Sequence, residues 1–433
     1  MKYIKHYSFM EKQYPRFTVI IPQKDRAEYL VHTLRTCMIQ DYPNFEVIVS
    51  DDCSEDNSVE VAMKLAEKDS RIKVFAHDHH LGMRDNFEFA LNQVQPGYVM
   101  ALGGDDGLVY GGIQRMYEII KETGTELLTW ANAGFTYGEN KGMSVRRIKC
   151  DGVKMIKSED FLNSIATSFH YLTMNCPMFY IKGVSSTRLV ELVRSRTPDH
   201  CFYHCPTPDG FSGVVLAGEV EEYAYTEEPL SINGSTVKSQ GANYMRADKK
   251  SRQESEQFFQ DNIRKTMHRE LASQQYSPLI SLMTADYLLS AKDLPGWPGK
   301  FTPVNYSELI KACFREMATC PFAEEVLPRE LEIVREIAKQ HGLSELFERL
   351  LRKTKRRIPK QNLSIYQFIT PNVVAYDADS LGIHNIYEAS LVISFFHKKL
   401  QKISFKYYWT FLENSIRRIV NKQNFISKDF PNL

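Results

Sequence analysis

Long apolar runs are missing from this sequence. No stretch of its 433 residues reaches the roughly 18 to 20 apolar residues that span a bilayer. The start, Met1 to Phe17, lacks the apolar core of a signal peptide. The eight cysteines are scattered along a large chain, unlike the dense framework of a small secreted domain. We therefore expect a cytoplasmic protein with reduced thiols.

An excess of charge of one sign is also missing, because the net charge is +1. Nucleic acid is therefore not an expected partner. The charge is unevenly distributed, however: from Arg352 onward, 14 Lys and Arg stand against 5 Asp and Glu. The chain also has no Gly-x-Ser-x-Gly, Walker or Rossmann glycine pattern, which leaves serine hydrolase, kinase and dehydrogenase functions without support.

Short β-branched runs alternate with helical patterns in the first 110 residues. This rhythm indicates an α/β fold with a mainly parallel sheet and helices on both faces. Ligands bind beyond the carboxyl ends of such strands, where the acidic turns Asp51–Asp52 and Asp105–Asp106 are expected. The predicted strands are Phe17–Pro22, Phe45–Ser50, Arg71–Phe75 and Tyr98–Leu102, and the predicted helices are Ala27–Ile39, Val59–Lys68 and Asp85–Gln93.

The pattern changes further along the chain. Strands are predicted at Leu127–Ala133 and Met178–Lys182, and a helix at Ser158–Ser168. Strand signals almost vanish beyond Asn243, where long charged helical stretches are predicted at Ala247–Ser273, Tyr306–Thr319 and Arg329–Arg352. We expect four regions: an extension (1–16), a catalytic domain (17–241), a helical region (242–351) and a basic, aromatic helical C-terminal region (352–433).

The segment Gly103–Gly107 carries the clearest chemistry. Its two carboxylates follow a buried strand and supply the hard oxygen ligands that suit Mg²⁺ or Mn²⁺. The glycines on either side allow backbone to approach a diphosphate closely. An acidic surface turn is the alternative interpretation of these residues.

Four motifs in order resemble the family 2 glycosyltransferases, which are inverting enzymes on the GT-A fold. They are Thr18–Leu30, Gln40–Asn57, Leu81–Leu91 and Pro96–Asp106. The resemblance covers about residues 17–239. It implies Mg²⁺- or Mn²⁺-dependent transfer of a sugar from a nucleoside-diphosphate sugar, UDP-linked in our expectation, to a hydroxyl of a glycan or lipid-linked glycan in bacterial surface polysaccharide synthesis. The alternative is a non-catalytic carbohydrate- or nucleotide-binding protein on a degenerate version of this fold.

The resemblance also implies roles for residues on the donor side. Asp106 would ligate the metal, Asp105 would contact the ribose or sugar, and Asp52 would accept a hydrogen bond from the nucleobase. Gln23–Asp25 departs from the aromatic-Asn pair that is usual after the first strand, which alters the nucleobase platform. The remaining donor-side residues are Pro22, Gln23, Asp25, Arg26, Arg84 and Asn86.

On the acceptor side, the resemblance assigns the catalytic base to Asp209, with Asp199 as a weaker competitor. A helix-capping aspartate is the structural alternative for Asp209, and both roles are compatible. Asn175 and Cys176 would line the acceptor side. A loop with Asn233, where histidine is common in the family, could contact phosphates, together with Ser235 and Lys238.

Two further clusters invite other interpretations. The segment His200–Cys205 holds two His and two Cys, but structural zinc sites draw on two separated ligand pairs, and an acceptor-side loop is the preferred interpretation. Ile403–Val420 mixes aromatic and basic residues. Such a helix could lie on the inner face of an anionic membrane, or it could pack on the catalytic domain or on a second subunit of a homo-oligomer.

Overall fold

A computed structural model describes residues 14–138, 141–146, 152–236, 249–260, 264–319, 324–354, 369–370 and 373–400. Its strands are β1 (Phe17–Gln23), β2 (Phe45–Asp51), β3 (Ile72–Ala76), β4 (Tyr98–Ala101), β5 (Gly107–Leu108), β6 (Leu127–Trp130), β7 (Ala133–Thr136), β8 (Gly142–Arg146), β9 (Val153–Lys157), β10 (Gly183–Ser186), β11 (Glu222–Thr226), β12 (Ser231–Ser235), β13 (Ile369–Thr370) and β14 (Val373–Asp377). Its α-helices are α1 (Ala27–Met38), α2 (Ser58–Ala66), α3 (Met83–Asn92), α4 (Gly112–Thr123), α5 (Ser158–Ser168), α6 (Thr187–Arg196), α7 (Pro208–Gly218), α8 (Lys249–Gln260), α9 (Ile280–Lys292), α10 (Tyr306–Thr319), α11 (Leu327–Gln340), α12 (Ser344–Lys353) and α13 (Ile386–Leu400).

The larger sheet has the strand order β3-β2-β1-β4-β10-β6-β11-β9. The first four strands in that order are parallel where they pair with β1 or β2, and β10 runs antiparallel to both of its neighbours. All residues of β1 and β2 are buried, as expected of strands that are covered on both faces. The predicted α/β fold class with a mainly parallel sheet is confirmed.

The predicted elements of the first half match the observed ones to within one or two residues at most ends. Met178–Lys182 is an exception, because the strand begins only at Gly183. The preceding residues make a single bridge from Tyr180 to Ala101 instead. The predicted helix Ala247–Ser273 is also shorter, since α8 ends at Gln260 and only a 3-10 turn follows at Arg269–Leu271.

The last predicted helix divides in two. Gly342 lies between α11 and α12 with a φ of +67°, a conformation that ends a helix readily when the residue is glycine. Near-continuous helical periodicity on both sides of this glycine explains why the sequence suggested one element.

A second sheet has the order β13-β14-β8-β7-β12-β5 and stands beside the first. Since β4 ends at Ala101 and β5 begins at Gly107, the residues between them connect the two sheets. Asp105 and Asp106 lie in this connection. Their position is therefore set from two directions, by β4 on one side and by the β5–β12 pairing on the other.

The C-terminal region returns to the second sheet. Strand β14 pairs antiparallel with β8, which corrects the expectation that strands vanish beyond Asn243. Helix α13 covers this sheet, and its residues Ile386, Ala389 and Val392 are completely buried. Burial of such a face stabilises by about 25 cal/mol per Å² of apolar surface. The part of the chain from 373 to 393 thus packs on the expected catalytic domain.

The helices between these parts form their own core, which includes Leu282, Leu309 and Ile337. Helix α9 connects this core to the large sheet, because Tyr287 and Leu288 on its other side belong to the core around α7. Trp297 strengthens the connection by donating from Nε1 to Val215 O of α7 at 3.0 Å. Among the described residues, the helices are all too short or too polar to cross a membrane. The predicted aromatic segment Ile403–Val420 lies outside the described residues.

Candidate active site

The carboxyl ends of β1, β2 and β4 form one edge of the larger sheet and carry most of the predicted donor-side residues. Gln23 and Asp51 are register partners at the ends of β1 and β2. Arg26 Nη1, just after β1, lies 3.4 Å from Asp105 Oδ2. As expected, the two acidic turns meet at this edge.

The end of β1 and the residues after it hold the polar turn after β2. Pro22 is buried within β1, and Gln23 donates from Nε2 to Asp51 Oδ2. Asp25 accepts the N–H of Glu55 at 2.7 Å through Oδ1. Because the Asp51 carboxylate can only accept, the amide group of Gln23 must face it with nitrogen, and its oxygen must point elsewhere. That oxygen is buried and has no partner among the described residues.

Asp52 is 3% exposed and braces the turn before α3. Its Oδ1 accepts the N–H of Leu81 at 2.6 Å, and its Oδ2 accepts the N–H of Gly82 at 3.2 Å. His80 Nδ1 lies 2.9 Å from the same Oδ2. Asp52, the predicted nucleobase contact, therefore holds the turn before α3 in place.

Arg84 and Asn86 on α3 are buried and make specific protein contacts. Asn86 forms a reciprocal pair with Ser50, accepting from its Oγ at 2.6 Å and donating to its carbonyl at 3.1 Å. Arg84 donates from Nε to Tyr203 O at 2.8 Å and from Nη2 to Asp199 Oδ2 at 2.7 Å. Arg84 thus connects α3 to the acceptor-side loop, a role that the sequence did not suggest.

Asp106 is 1% exposed, and backbone amides hold both of its carboxylate oxygens. Oδ2 accepts the N–H of Gly103 at 2.7 Å, and Oδ1 accepts the N–H of Gly234 on β12 at 2.8 Å. Burial, together with the adjacent Asp105 carboxylate, raises the pKa of Asp106 to about 8. The Asp106 side chain is therefore held rigidly, and a positive charge nearby would stabilise its charged form.

Three further residues pack around this carboxylate. A Cβ at Gly103 would lie 2.5 Å from Tyr180 Oη and 2.9 Å from Asp106 Oδ2, so glycine is required there. Tyr180 itself hydrogen-bonds Asp106 through its hydroxyl. A Cβ at Gly234 would lie 1.8 Å from Asp105 O. Gly103 and Gly234 thus make room for the packing around the acidic pair. The sequence had suggested that glycines beside the pair make room for a diphosphate.

Asp105 has polar partners of a different kind. Its Oδ2 accepts from Thr236 Oγ1 at 3.1 Å and faces Arg26. Arg26 Nη1 also lies 3.5 Å from Thr236 Oγ1, which completes a small triangle of polar side chains. Thr236 follows β12 directly and had no place in the sequence prediction, because its contact with Asp105 spans 131 positions.

Asp209 lies in the first turn of α7, after Pro208. Its Oδ1 accepts the N–H of Gly210 at 2.8 Å, and its Oδ2 lies 3.5 Å from the hydroxyl of Tyr171. Burial raises the pKa of the Asp209 carboxyl. Thr207 occupies the N-cap position of α7 but makes no side-chain capping hydrogen bond, whereas Asp209 accepts an N–H of the first turn, so a structural role at the helix start and a catalytic role remain compatible.

The segment Phe179–Tyr180 connects the two halves of the site. Tyr180 contacts Asp106, as described above. Its neighbour Phe179 donates its N–H to Ser212 Oγ at 3.0 Å, and that hydroxyl donates to Asp209 O at 2.6 Å. The backbone of this segment also pairs with β4, since the N–H of Ala101 donates to Phe179 O at 3.0 Å. The acidic pair and Asp209 are therefore attached to one short stretch of chain.

The other predicted acceptor-side and loop residues are distributed unequally. Asn175 is half-buried, with its carbonyl accepting from Tyr223 Oη at 2.8 Å. Cys176 is fully buried behind α7, and burial raises the pKa of its thiol to about 12, so the structure does not bring it to a surface. Asn233 and Ser235 flank Gly234 on β12. Lys238 lies outside the described residues.

Comparison with known proteins gives a family match for part of this chain. Residues 18–181 match the family model described as glycosyl transferase family 2. A GalNAc(5)-diNAcBac-PP-undecaprenol beta-1,3-glucosyltransferase of Campylobacter jejuni is 31% identical over 109 residues, which cover 25% of this chain and 35% of that protein. A putative teichuronic acid biosynthesis glycosyltransferase, TuaG of Bacillus subtilis, is 28% identical over 108 residues, covering 25% and 43%. The chain thus spans less than half the length of these two relatives.

Solved structures show only a loose likeness. Staphylococcus aureus TarS (residues 1–349, with UDP-GlcNAc) aligns at a TM-score of 0.41 and 14% identity, covering 79% of this chain and 93% of that one. The mannosyltransferase PcManGT of Pyrobaculum calidifontis, with GDP-Man and Mn²⁺, aligns at 0.38 and 15%, covering 78% and 87%. At such scores these structures say nothing further about this chain.

We predict that Gly234→Ala destabilises the fold by about 1 to 3 kcal/mol, as overpacking in a tight core does. The new Cβ would meet a backbone oxygen that no side-chain rotation can move. Chemical denaturation measures the free energy of unfolding, with the neighbouring exposed residue as control: Ser235→Ala should stay within about 0.5 kcal/mol of wild type. Equal stability of the two variants would contradict this packing.

Proposed function

Residues 18–181 carry the sequence pattern of glycosyl transferase family 2, and from this premise we propose that the chain is an inverting, metal-dependent glycosyltransferase. It moves a hexosyl or N-acetylhexosaminyl group from a nucleoside-diphosphate sugar, UDP-linked in this proposal, to a hydroxyl of a glycan or lipid-linked glycan. The observation that carries the proposal is the buried pair Asp105–Asp106, which β4 and β12 hold at the ligand-binding edge of the sheet.

The residues around Asp106 fit a divalent cation. Burial raises the pKa of Asp106 most, and repulsion from the adjacent Asp105 carboxylate raises it further. A cation would relieve that repulsion, and Mg²⁺ and Mn²⁺ prefer such oxygen ligands. Within the described part of the chain, no group of three or more His, Cys, Asp or Glu side chains could hold a metal. Asp106 would therefore share the ion with the phosphates of the substrate, as Mg²⁺ sites often do.

When bound, the metal supplies charge neutralisation for the departing diphosphate. The chain's own residues divide the remaining work. Arg26 faces the donor-side edge beside Asp105, where it would add positive charge near the phosphates. Asp105 would orient the ribose or the sugar through hydrogen bonds, because its carboxylate is held by Thr236 and Arg26. Asp209 would take the proton of the acceptor hydroxyl as that oxygen attacks the anomeric carbon.

Gln23 supports a nucleobase contact in place of the usual aromatic-Asn pair. Its Oε1 is a buried acceptor without a partner in the described residues, and such an atom costs about 1 to 3 kcal/mol. An N–H of a nucleobase would satisfy it. Since the edge of uracil offers one N–H, this contact is compatible with a UDP-linked donor.

The relatives support an acceptor in bacterial surface polysaccharide synthesis. The name of the C. jejuni relative places its acceptor on an undecaprenyl diphosphate, and the B. subtilis relative is named for teichuronic acid biosynthesis. An acceptor linked to a lipid would place the enzyme at the inner face of the cytoplasmic membrane. The basic and aromatic C-terminal segment suits such a location.

The alternative function is non-catalytic binding of a carbohydrate or nucleotide on the same fold. It is favoured by how fully Asp52 and Asp106 are occupied by backbone amides. Turnover separates the two functions: a screen of nucleoside-diphosphate sugars with and without Mn²⁺ should yield a released nucleoside diphosphate if the chain is an enzyme. Binding without turnover for every donor would favour the alternative.

We predict that Asp106→Ala reduces transfer at least about 100-fold, because the diphosphate loses the charge stabilisation that Asp106 anchors. Circular dichroism should show a retained fold. The control is Asp160→Asn, an exposed carboxylate in the first turn of α5, which should leave transfer unchanged. Retained activity in Asp106→Ala would contradict the metal assignment.

We predict that transfer needs Asp209 in its charged form. Burial raises the pKa of Asp209, so with Mn²⁺ at a saturating concentration, which keeps Asp106 charged, kcat/KM should be full above the pKa of Asp209 and fall as the pH drops through it. The loss should begin above pH ~4, where an ordinary aspartate titrates. Asp209→Asn should lower kcat about 10²- to 10⁴-fold and remove this acidic limb. A larger loss in Asp199→Asn would move the role of base to Asp199.

We predict that the segment after Leu400 binds anionic membranes. The test compares co-sedimentation of the full chain and of a chain that ends at Leu400 with vesicles of phosphatidylglycerol and phosphatidylcholine. Ending at Leu400 keeps α13, whose apolar face is buried on the second sheet. The full chain should sediment more, and added salt should weaken the difference. Equal partitioning of the two chains would count against a membrane role.

A further inference from the structure

Two buried tyrosines stand over the proposed base. Tyr171 directs its hydroxyl to Asp209 Oδ2 at 3.5 Å, and the ring of Tyr287 lies edge-on to that of Tyr171, with centroids 5.3 Å apart. Tyr171 is 3% exposed and Tyr287 is 1% exposed. A hydrogen bond of 3.5 Å is long, as catalytic hydrogen bonds often are before substrate binds.

The residue after the base makes room for both rings. A Cβ at Gly210 would lie 2.2 Å from Tyr287 Cε2 and 2.8 Å from Tyr171 Cε2. Two aromatic rings therefore pack directly on the backbone of the first turn of α7, which carries Asp209. No side chain other than hydrogen would permit this contact without displacing a ring.

Helix α9, from the helical region, supplies the outer part of this arrangement. Its residues Thr284 and Tyr287 are three positions apart and so lie on one face of the helix. Thr284 Oγ1 accepts the N–H of Tyr171 at 3.1 Å. The Tyr287 hydroxyl hydrogen-bonds Thr207, which precedes α7, and also Tyr171. Helix α9 thus holds Tyr171 by its backbone and by its side chain.

We propose that Tyr171 and Tyr287 are positioning residues for Asp209, through which the helical region sets the orientation and charge state of the base. This inference rests on the proposed function. In it, the hydroxyl of Tyr171 donates to the carboxylate and favours its charged form, while Tyr287 fixes the hydroxyl of Tyr171 in place. The helical region would then complete the acceptor half of the site and not form an independent module.

Three ionisable side chains face Asp209 within the part of the chain that the structure describes. Tyr171 comes from the loop after α5, Cys176 from the segment before β10, and Tyr287 from α9. Burial keeps the pKa of all three above its usual value, so they are neutral at physiological pH. Against the effect of burial, the backbone N–H groups of Gly210 and of Asp209 itself lower the pKa of Asp209 most, and the Tyr171 hydroxyl, the side-chain donor among the three that reaches the carboxylate, lowers it further.

The test replaces each tyrosine by phenylalanine, which keeps the ring that packs on Gly210. Tyr171→Phe should lower kcat about tenfold, the worth of one hydrogen bond to a charged group, with the KM of the donor unchanged. The acidic limb of its pH profile should move to higher pH, because the carboxylate loses a donor. Tyr287→Phe should also lower kcat and move the acidic limb of the pH profile up, but both effects should be smaller than in Tyr171→Phe. Tyr276→Phe is the control: its hydroxyl is buried without a partner among the described residues, and kcat and the profile should stay at wild-type values.

A second measurement keeps the inference separate from the proposed function. The Asp209 carboxyl can be titrated by ¹³C NMR and assigned by the loss of its signal in Asp209→Asn. Its midpoint should rise in Tyr171→Phe whether or not a sugar is transferred. An unchanged midpoint, or an unchanged pH profile in both phenylalanine variants, would overturn the inference. Absence of turnover by the wild-type chain with every donor would overturn the proposed function alone.

Discussion

The burial of the Asp106 carboxylate is the constraint on which the candidate site depends. A buried carboxylate is costly unless it is hydrogen-bonded, and here the amides of Gly103 and Gly234 supply the bonds. One amide comes from the turn after β4 and the other from β12. Since these belong to different sheets, the hydrogen bonds of this one side chain connect the two sheets at the candidate site. A catalytic role for Asp106 would thus draw on a geometry that the fold must build anyway.

The donor and acceptor halves of the site are also connected by one structural segment. The segment Phe179–Tyr180 pairs with β4, contacts Asp106 and reaches the turn that carries Asp209. In the proposed mechanism Asp209 and Asp106 act on opposite sides of the anomeric carbon, and both are connected to this one piece of backbone. Sites need their groups held to within a fraction of an ångström, and a short shared segment limits how far they can drift apart.

The sequence was sufficient for the elements whose signals are local. The β-branched run predicted β1 nearly to the residue, because a strand buried on both faces is apolar throughout. The helical periodicity predicted α1 and α5 equally well, because a helix buried on one face has apolar residues at regular spacing. The sequence was insufficient where contacts between distant residues determine the structure. The strand β14 became visible only through its pairing with β8, and the partner of Arg84 lies 115 positions away at Asp199. No periodicity encodes such contacts.

Two of the predicted donor-side carboxylates are hydrogen-bonded within the fold. Asp52 and Asp25 each accept backbone N–H groups of a neighbouring turn. Because Asp52 is buried, these bonds offset the cost of removing its carboxylate from water. Gln23 differs, because its amide nitrogen is committed to Asp51 and its oxygen has no donor among the described residues. Gln23 also stands where the family that this sequence resembles usually has its aromatic-Asn pair, so in the proposed function this oxygen is the atom that a nucleobase N–H would contact.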